Sequence, residues 1–166
     1  MGALPHVEIR FPDGSTLRTD DNDAAQRLSA FVGREVTVES SAGEHFDDLP
    51  LSMQTSASIE ALREMMPGSE IEHRRFRHNF AIQSPEGDEG FAEMEWIGKG
   101  IRVGEIPMDV VKPVPRCPMV SAAQPGPGGD TAILKTILEK IGRCVGVYAT
   151  TKATGVVRVG DVVTWS

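Results

Sequence analysis

The sequence predicts an α+β fold that is mainly β with a few helices, and three observations indicate it. Short apolar or β-branched segments recur along the chain and are separated by Gly, Pro and Asp turns, a pattern typical of a β-barrel. Three longer segments carry apolar residues at helical spacing, each between a capping residue and a stop signal. A length of 166 residues allows one well-developed core rather than two.

The N-terminal elements are a hairpin and a short helix. Residues 7–11 alternate apolar and polar side chains and end at the turn Pro12-Asp13-Gly14, so a strand that runs into a hairpin is predicted. Asp23 and Gln26 have the spacing of a capping box, which predicts a helix that ends at Gly33.

Two further helices and several strands follow. One helix begins at Thr55 or Ser56 and ends at Pro67-Gly68, and another is capped by Asp130 and ends at Gly142. The β-branched composition and the flanking turns predict the remaining strands. These strands cover residues 35–38, 80–82, 100–103, 106–111, 145–149, 156–159 and 162–165.

Composition restricts the possible functions. The apolar runs are too short to span a bilayer, no secretory signal is evident, and two cysteines suit a reducing compartment, so we expect a cytoplasmic protein without a membrane partner. The net charge is -7, and residues 1–48 hold ten acidic and four basic side chains. No continuous basic face is present, which argues against nucleic acid as a partner. The basic cluster at residues 73–78 suits a single phosphate group better than a polymer.

Cys117 is the main candidate for chemistry. It lies in the segment Pro113-Val114-Pro115-Arg116-Cys117-Pro118-Met119, directly after a predicted strand. Prolines restrict the backbone around the sulfur, and the guanidinium of Arg116 favours the thiolate, which is the nucleophilic and metal-binding form. The alternative is a small buried hydrophobe at a strand end.

Several short motifs occur in an order that resembles the MOSC family. This family comprises domains found at the C-terminus of molybdenum cofactor sulfurases, in the mitochondrial amidoxime-reducing proteins and as stand-alone bacterial proteins. The motifs are Arg75–Phe80, Trp96-Ile97-Gly98, Ile101–Gly104, Pro115-Arg116-Cys117, Gly146–Ala149 and Val157–Asp161. The resemblance implies a MOSC-type β-barrel, with residues 1–48 as a partial N-terminal region and 49–166 as the MOSC domain. Many stand-alone relatives carry further N-terminal strands, so the barrel is expected to be incomplete there, with an open sheet edge.

The resemblance also implies a metal ligand and two cofactor contacts. In the metal-ligating members a cysteine of a Pro-Arg-Cys-like motif binds molybdenum, and Cys117 matches it. Val114 stands where the family often has a second cysteine, so Cys117 would act alone. Arg77 and Asn79 match the residues of an Arg-Phe-Arg-Pro-Asn motif that contact the cofactor, although His78 replaces the proline. The alternative for this segment is a solvated basic edge strand.

Three more residues match family positions that meet the pterin. Asp47 lies in a stretch that resembles the acidic loop, and Thr55 and Ser58 lie in a stretch that resembles the small-residue helix start. A helix N-terminus exposes N–H groups, so this stretch is also a possible anion site on physical grounds. Ordinary helix capping is the alternative for the two hydroxyls.

The resemblance favours an oxidoreductase that depends on the molybdenum cofactor, Mo-molybdopterin. Such a protein would reduce N-hydroxylated compounds, which are small molecules, with electrons from a donor protein. The alternative is a sulfur carrier in which Cys117 holds a persulfide. That function needs an external cysteine desulfurase, because the chain has no pyridoxal phosphate-binding domain. A third alternative is a non-enzymatic protein that keeps the fold without the site.

Overall fold

The computed structural model describes residues 6–39 and 46–166, and each range lies in a compact unit of its own. In the first unit, β1 (Glu8–Arg10) pairs antiparallel with β2 (Thr16–Arg18), which confirms the hairpin. Helix α1 (Ala24–Val32) follows and ends at Gly33 in the left-handed conformation, with φ 71°.

Two details of the first unit differ from the sequence prediction. Asp23 precedes α1, but its side chain makes no capping hydrogen bond, so the capping box is not formed. Residues 35–39 are irregular, and the strand predicted for 35–38 is wrong. A strand exists only where a partner offers a hydrogen-bond ladder, and β-branched residues do not supply one by themselves.

The second unit is a mixed sheet with helices. Its elements are β3 (Leu51–Thr55), α2 (Ser56–Met65), α3 (His73–Phe76), β4 (Phe80–Ile82), a first 3-10 helix (Ala92–Trp96), β5 (Gly100–Val103), β6 (Ile106–Pro115), a second 3-10 helix (Pro118–Ser121), α4 (Thr131–Ile141), β7 (Cys144–Thr150) and β8 (Val163–Trp165). The strand order is β4-β3-β7-β6-β5-β8. The six strands curl into a half-barrel, which confirms the α+β, mainly β class.

Two apolar clusters form the core of this unit. One joins side chains of β3, β5, β6 and β7, and the other joins α2, α4 and the start of β7. Ile133 and Ile137 on α4 are fully buried, as the predicted helical spacing requires. Burial of each such side chain contributes about 1.5–3 kcal/mol to folding. Among the described residues, no helix is long and apolar enough to cross a membrane.

The predicted strands were found with one further exception. Residues 156–159 are irregular, because the Asp161 carboxylate accepts the N–H of Arg158 at 2.8 Å and closes a turn there. Strand β3 was missed, and β6 extends to Pro115 rather than ending at residue 111. The segment before β4 is the helical turn α3 and a loop, so the edge-strand alternative for it is wrong.

Candidate functional site

The thiol of Cys117 lies where β6 gives way to the second 3-10 helix. The side chain is exposed and is not in a disulfide. Pro115 still pairs with Cys144 at the start of β7, and Pro118 is the first residue of the short helix. The thiol is therefore held between two ordered elements, and the alternative of a buried hydrophobe is wrong for Cys117.

The side chain of Arg116 turns into the protein rather than lying beside the thiol at the surface. Arg116 is only 7% exposed. Its Nε donates to the carbonyl oxygen of Val145 at 2.9 Å, and its Nη1 donates to that of Phe76 at 2.9 Å. Burial lowers the pKa of Arg116 to about 10. The hydrogen bonds of the guanidinium therefore tie β6 to β7 and to the end of α3.

The loop after α3 exposes Arg77 and Asn79. Arg77 adopts the left-handed conformation, with φ 54° and ψ 36°, which is uncommon for a residue other than glycine. Arg75, by contrast, is 1% exposed and donates to the carbonyls of Glu70 and Gly128 at 2.6 Å each. The predicted basic cluster is therefore not one phosphate-binding patch, because Arg75 serves the packing of the surrounding loops.

His78 lies between the two exposed residues, but it is itself half-buried, and its Nδ1 atom is buried. Its Nε2 is 2.6 Å from Nη2 of Arg116. The ring covers Gly146, where an added Cβ would come within 2.3 Å of the His78 Cε1 atom. Burial, helped by the charge of Arg116, lowers the pKa of His78 to about 3. A neutral imidazole therefore connects the Arg77–Asn79 loop to the guanidinium of Arg116 near neutral pH.

A polar row crosses the sheet beside this loop. The Oδ1 atom of Asn79 accepts the N–H of Ser52 at 2.8 Å and its hydroxyl at 3.1 Å. Ser52 is opposite Tyr148 on β7, and Tyr148 is opposite Lys112 on β6. Lys112 Nζ forms an ion pair with the Asp48 carboxylate at 2.8 Å. Directly paired residues share one face of a sheet, so these side chains lie on the same surface.

Asp47 is exposed and lies within electrostatic reach of this row. The pKa of Tyr148 is raised by burial first and by the charges of Asp47 and Asp48 next. Asp47 directly precedes Asp48, whose carboxylate pairs with Lys112 in this row, so the acidic loop lies beside the row.

Thr55 and Ser58 lie at the N-terminus of α2, but both are fully buried. Thr55 Oγ1 donates to one carboxylate oxygen of Glu93 at 2.6 Å, and Ser58 Oγ lies 2.6 and 2.7 Å from the two. Thr55 also caps α2 by accepting the N–H of Ser58 at 3.3 Å. The group that meets the two hydroxyls at the helix start is the carboxyl group of Glu93, which is also fully buried. The two hydroxyls offer no free surface to a pterin.

The structure therefore brings together part of the predicted site. Cys117, Arg77 and Asn79 belong to two segments that Arg116 joins by hydrogen bonds. Asp47 is close to the same sheet surface through Tyr148, whereas Thr55 and Ser58 are enclosed elsewhere.

Sequence reasoning missed four residues that shape this region: Ser52, Glu93, Lys112 and Tyr148. The only available signal was Tyr148, the single tyrosine of the chain, which lies in one of the family motifs. The others are ordinary polar residues whose partners are distant in sequence, so no local pattern marks them.

A cavity of about 1030 Å³ lies between the two free edges of the sheet. Every residue of β4 and of β8 lines it, together with Trp96 and Ile101, and Asn79 lies at its border. The rings of Trp96 and Trp165 meet edge to face, with centroids 6.1 Å apart. The open side of the half-barrel is thus an apolar cavity that adjoins the loop of the candidate site.

Within residues 6–39 and 46–166, no group of three or more His, Cys, Asp or Glu side chains could hold a metal ion. A metal at Cys117 would therefore need further ligands from outside the described protein. A pterin cofactor that supplies its own sulfur ligands is compatible with a single exposed thiolate, which is a soft ligand.

The fold and the site together define the class of domain. It is a mainly β domain with a curled sheet, one exposed cysteine at the end of β6, and a neighbouring loop that carries the Arg-x-Asn sequence of Arg77 and Asn79. The MOSC domain model matches residues 40–164, which is most of the chain, and the chain therefore belongs to the MOSC domain family. This family is associated with the molybdenum cofactor. No curated protein matches the chain.

Proposed function

We propose that the protein binds the molybdenum cofactor, Mo-molybdopterin, with Cys117 as the protein ligand of the metal. The observation that carries this proposal is the exposed thiol, which Arg116 joins to the loop that exposes Arg77 and Asn79. A thiolate suits a soft metal, and a guanidinium pairs bidentately with a phosphate.

The polar groups of the site have complementary roles in this proposal. Because the Oδ1 atom of Asn79 already accepts from Ser52, its amide N–H groups remain as donors toward acceptor atoms of the pterin. Asp47 offers the opposite polarity, since a carboxylate accepts the N–H groups of a heterocycle. Arg77 anchors the phosphate. Thr55 and Ser58 have no part, because both hydroxyls are buried against Glu93.

The family resemblance supports the reduction of small N-hydroxylated compounds as the reaction of this proposed site. When bound, the cofactor supplies the two-electron redox chemistry. The overall change cleaves the N–O bond and consumes two electrons and two protons, with water as the second product. A donor protein supplies the electrons, and the chain contributes the binding and orientation described above.

A second candidate function is sulfur transfer, which the exposure of Cys117 favours. Here the Cys117 thiolate attacks the outer sulfur of a persulfide on a separate cysteine desulfurase. One S–S bond forms on Cys117, the S–S bond on the donor breaks, and the donor cysteine leaves as a thiolate. This function needs no stable metal on the chain.

The test is the molybdenum-to-protein ratio, measured by elemental mass spectrometry on protein from a host that makes the cofactor. We expect a near-stoichiometric ratio for the wild type, a loss of metal in Cys117→Ala, and no loss in Cys144→Ala. Cys144 is the matched control because it is the other free cysteine and is half-buried.

The outcomes separate the candidates. Metal in the wild type that Cys117→Ala retains would overturn the role of Cys117 as a ligand. A folded wild type without metal would overturn cofactor binding. Cyanide would then release thiocyanate from the wild type but not from Cys117→Ala if the chain carries sulfur, and from neither if it is a non-enzymatic member of the family.

A further inference from the structure

The contact between His78 and Arg116 fixes which imidazole nitrogen carries the proton. Arg116 Nη2 lies 2.6 Å from His78 Nε2, and a guanidinium can only donate hydrogen bonds. Nε2 must therefore be the unprotonated acceptor, which leaves the proton of the neutral ring on Nδ1. Nδ1 is buried and has no hydrogen-bond partner among the described residues. A buried donor without a partner is costly, so the contact at Nε2 must hold the ring against that cost.

The backbone around His78 is built for this side chain. Gly146, with φ 78°, leaves the space that the ring occupies, since a Cβ there would come within 2.5 Å of Nε2. Arg77 is left-handed, and a proline at position 78 would disfavour that conformation because it drives the preceding residue toward extended backbone. The departure of His78 from the family's proline thus goes together with the conformation that exposes Arg77.

Arg116 uses the same guanidinium to hold three segments. It donates to Nε2 of His78, to the Phe76 carbonyl at the end of α3, and to the Val145 carbonyl on β7. Arg77 follows Phe76 directly, and Cys117 follows Arg116 directly. Any movement of this guanidinium therefore changes the separation of the two exposed side chains.

We infer that His78 is a positioning residue of the candidate site: by accepting a hydrogen bond from Arg116, it fixes Arg77 and Cys117 in one relative geometry. The assignment of that geometry to cofactor retention rests on the proposed function. The Nε2 atom of His78 faces Arg116 and its Nδ1 atom is buried, so His78 acts through Arg116.

The experiment compares the wild-type chain with His78→Leu and His78→Gln. Leucine fills similar space but has no acceptor, whereas the Gln Oε1 atom can accept where Nε2 did. We expect the molybdenum content of folded His78→Leu to fall at least about tenfold, as the loss of a hydrogen bond to a charged group predicts. His78→Gln is expected to stay within about twofold of the wild type. Equal retention in all three proteins, or equal loss in both variants, would overturn the inference.

Two NMR measurements decide the inference without the metal. Long-range ¹⁵N–¹H spectra of the wild type must show the Nδ1–H tautomer of His78, and an Nε2–H tautomer overturns the inference even if His78→Leu does not fold. Backbone ¹⁵N relaxation at Arg77 and Cys117 should show added mobility in His78→Leu and recovery in His78→Gln. If the wild type contains no molybdenum, the proposed function is overturned but the inference about His78 is not. These spectra then decide the role of His78.

Discussion

At the residue scale, His78 links the site to the pH dependence of stability. Burial first, and then the charges of Arg116 and His73, lower its pKa from 6.5 to about 3. The unfolded imidazole titrates near pH 6.5, so below that pH the unfolded chain binds a proton that the folded chain excludes. The contribution of His78 to stability is therefore full above pH 6.5 and is lost as the pH falls toward 3. Between pH 7 and pH 5 we expect a loss of about 2 kcal/mol from this group.

Urea unfolding followed by tryptophan fluorescence measures this loss, because Trp96 and Trp165 both lie in the second unit. His78→Gln removes the titrating group, so its stability should fall by about 2 kcal/mol less than that of the wild type over the same pH interval. His6→Gln is the control, since His6 is exposed and lies in the first unit. If the wild type and His78→Gln lose the same free energy between pH 7 and pH 5, the neutral buried imidazole is excluded.

The same scale shows what residue types alone can predict. The exposure of Cys117 followed from its prolines. The partner of the two hydroxyls at the start of α2 did not follow, because Glu93 is 35 residues from Ser58 in sequence. The sequence also could not show that the Arg116 side chain turns inward, since the carbonyls that bind it belong to the distant residues Phe76 and Val145.

At the element scale, Gly146 is the point where β7 passes beneath the His78 ring. Gly146→Ala would place a Cβ 2.3 Å from the His78 Cε1 atom and 2.7 Å from the backbone oxygen of Met53. We expect a loss of at least about 3 kcal/mol in the free energy of unfolding, since backbone strain and a steric clash add together. Urea unfolding measures the loss.

Gly142→Ala separates the two causes. Gly142 has a similar φ of 68°, but a Cβ there would meet nothing within 4 Å. This control should therefore lose only about 1 kcal/mol, which is the cost of the left-handed backbone for alanine. Equal losses in the two variants would show that the ring of His78 does not occupy the space above Gly146.

Elements with strong local signals were predictable, and elements defined by their partners were not. Helix α4 has both a cap and an apolar face, since Asp130 accepts the N–H of Ala132 and Ile133 and Ile137 are buried. Strand β3 was missed because the polar residues Ser52 and Gln54 interrupt its apolar pattern, although Met53, Gln54 and Thr55 are all fully buried. The extension of β6 through Pro113 and Pro115 comes from its bulged pairing with β7, which no local pattern of β6 specifies.

At the scale of the whole molecule, the sheet topology assembles the candidate site. β7 lies between β3 and β6, so it joins the strand beside Asn79 to the strand that ends before Cys117. The sequence places these residues 38 positions apart by their numbers, and only the strand order brings their segments together. The family resemblance pointed to these two segments, and the hydrogen bonds of Arg116 explain how the two segments are held together.

The two compact units differ in the amount of core that supports them. In the described part of the first unit, the buried apolar side chains are Leu17 and Ala24, whereas Phe31 is 58% exposed. In β7 of the second unit, Val147 and Ala149 are fully buried. Because opening costs less where fewer apolar side chains are buried, we expect the hairpin β1–β2 to open well below the free energy of global unfolding.

Native-state hydrogen exchange of the full chain tests this expectation. The amide of Phe11, which donates to the Ser15 carbonyl at 2.8 Å, should exchange at least about a hundredfold faster than that of Val147, after correction for intrinsic rates. The Phe11 amide is hydrogen-bonded, and Val147 lies in a strand that is paired on both sides, so the comparison reports the cost of opening each unit. Equal protection would show that the hairpin opens only with the sheet, and that the small core of the first unit does not set its local stability.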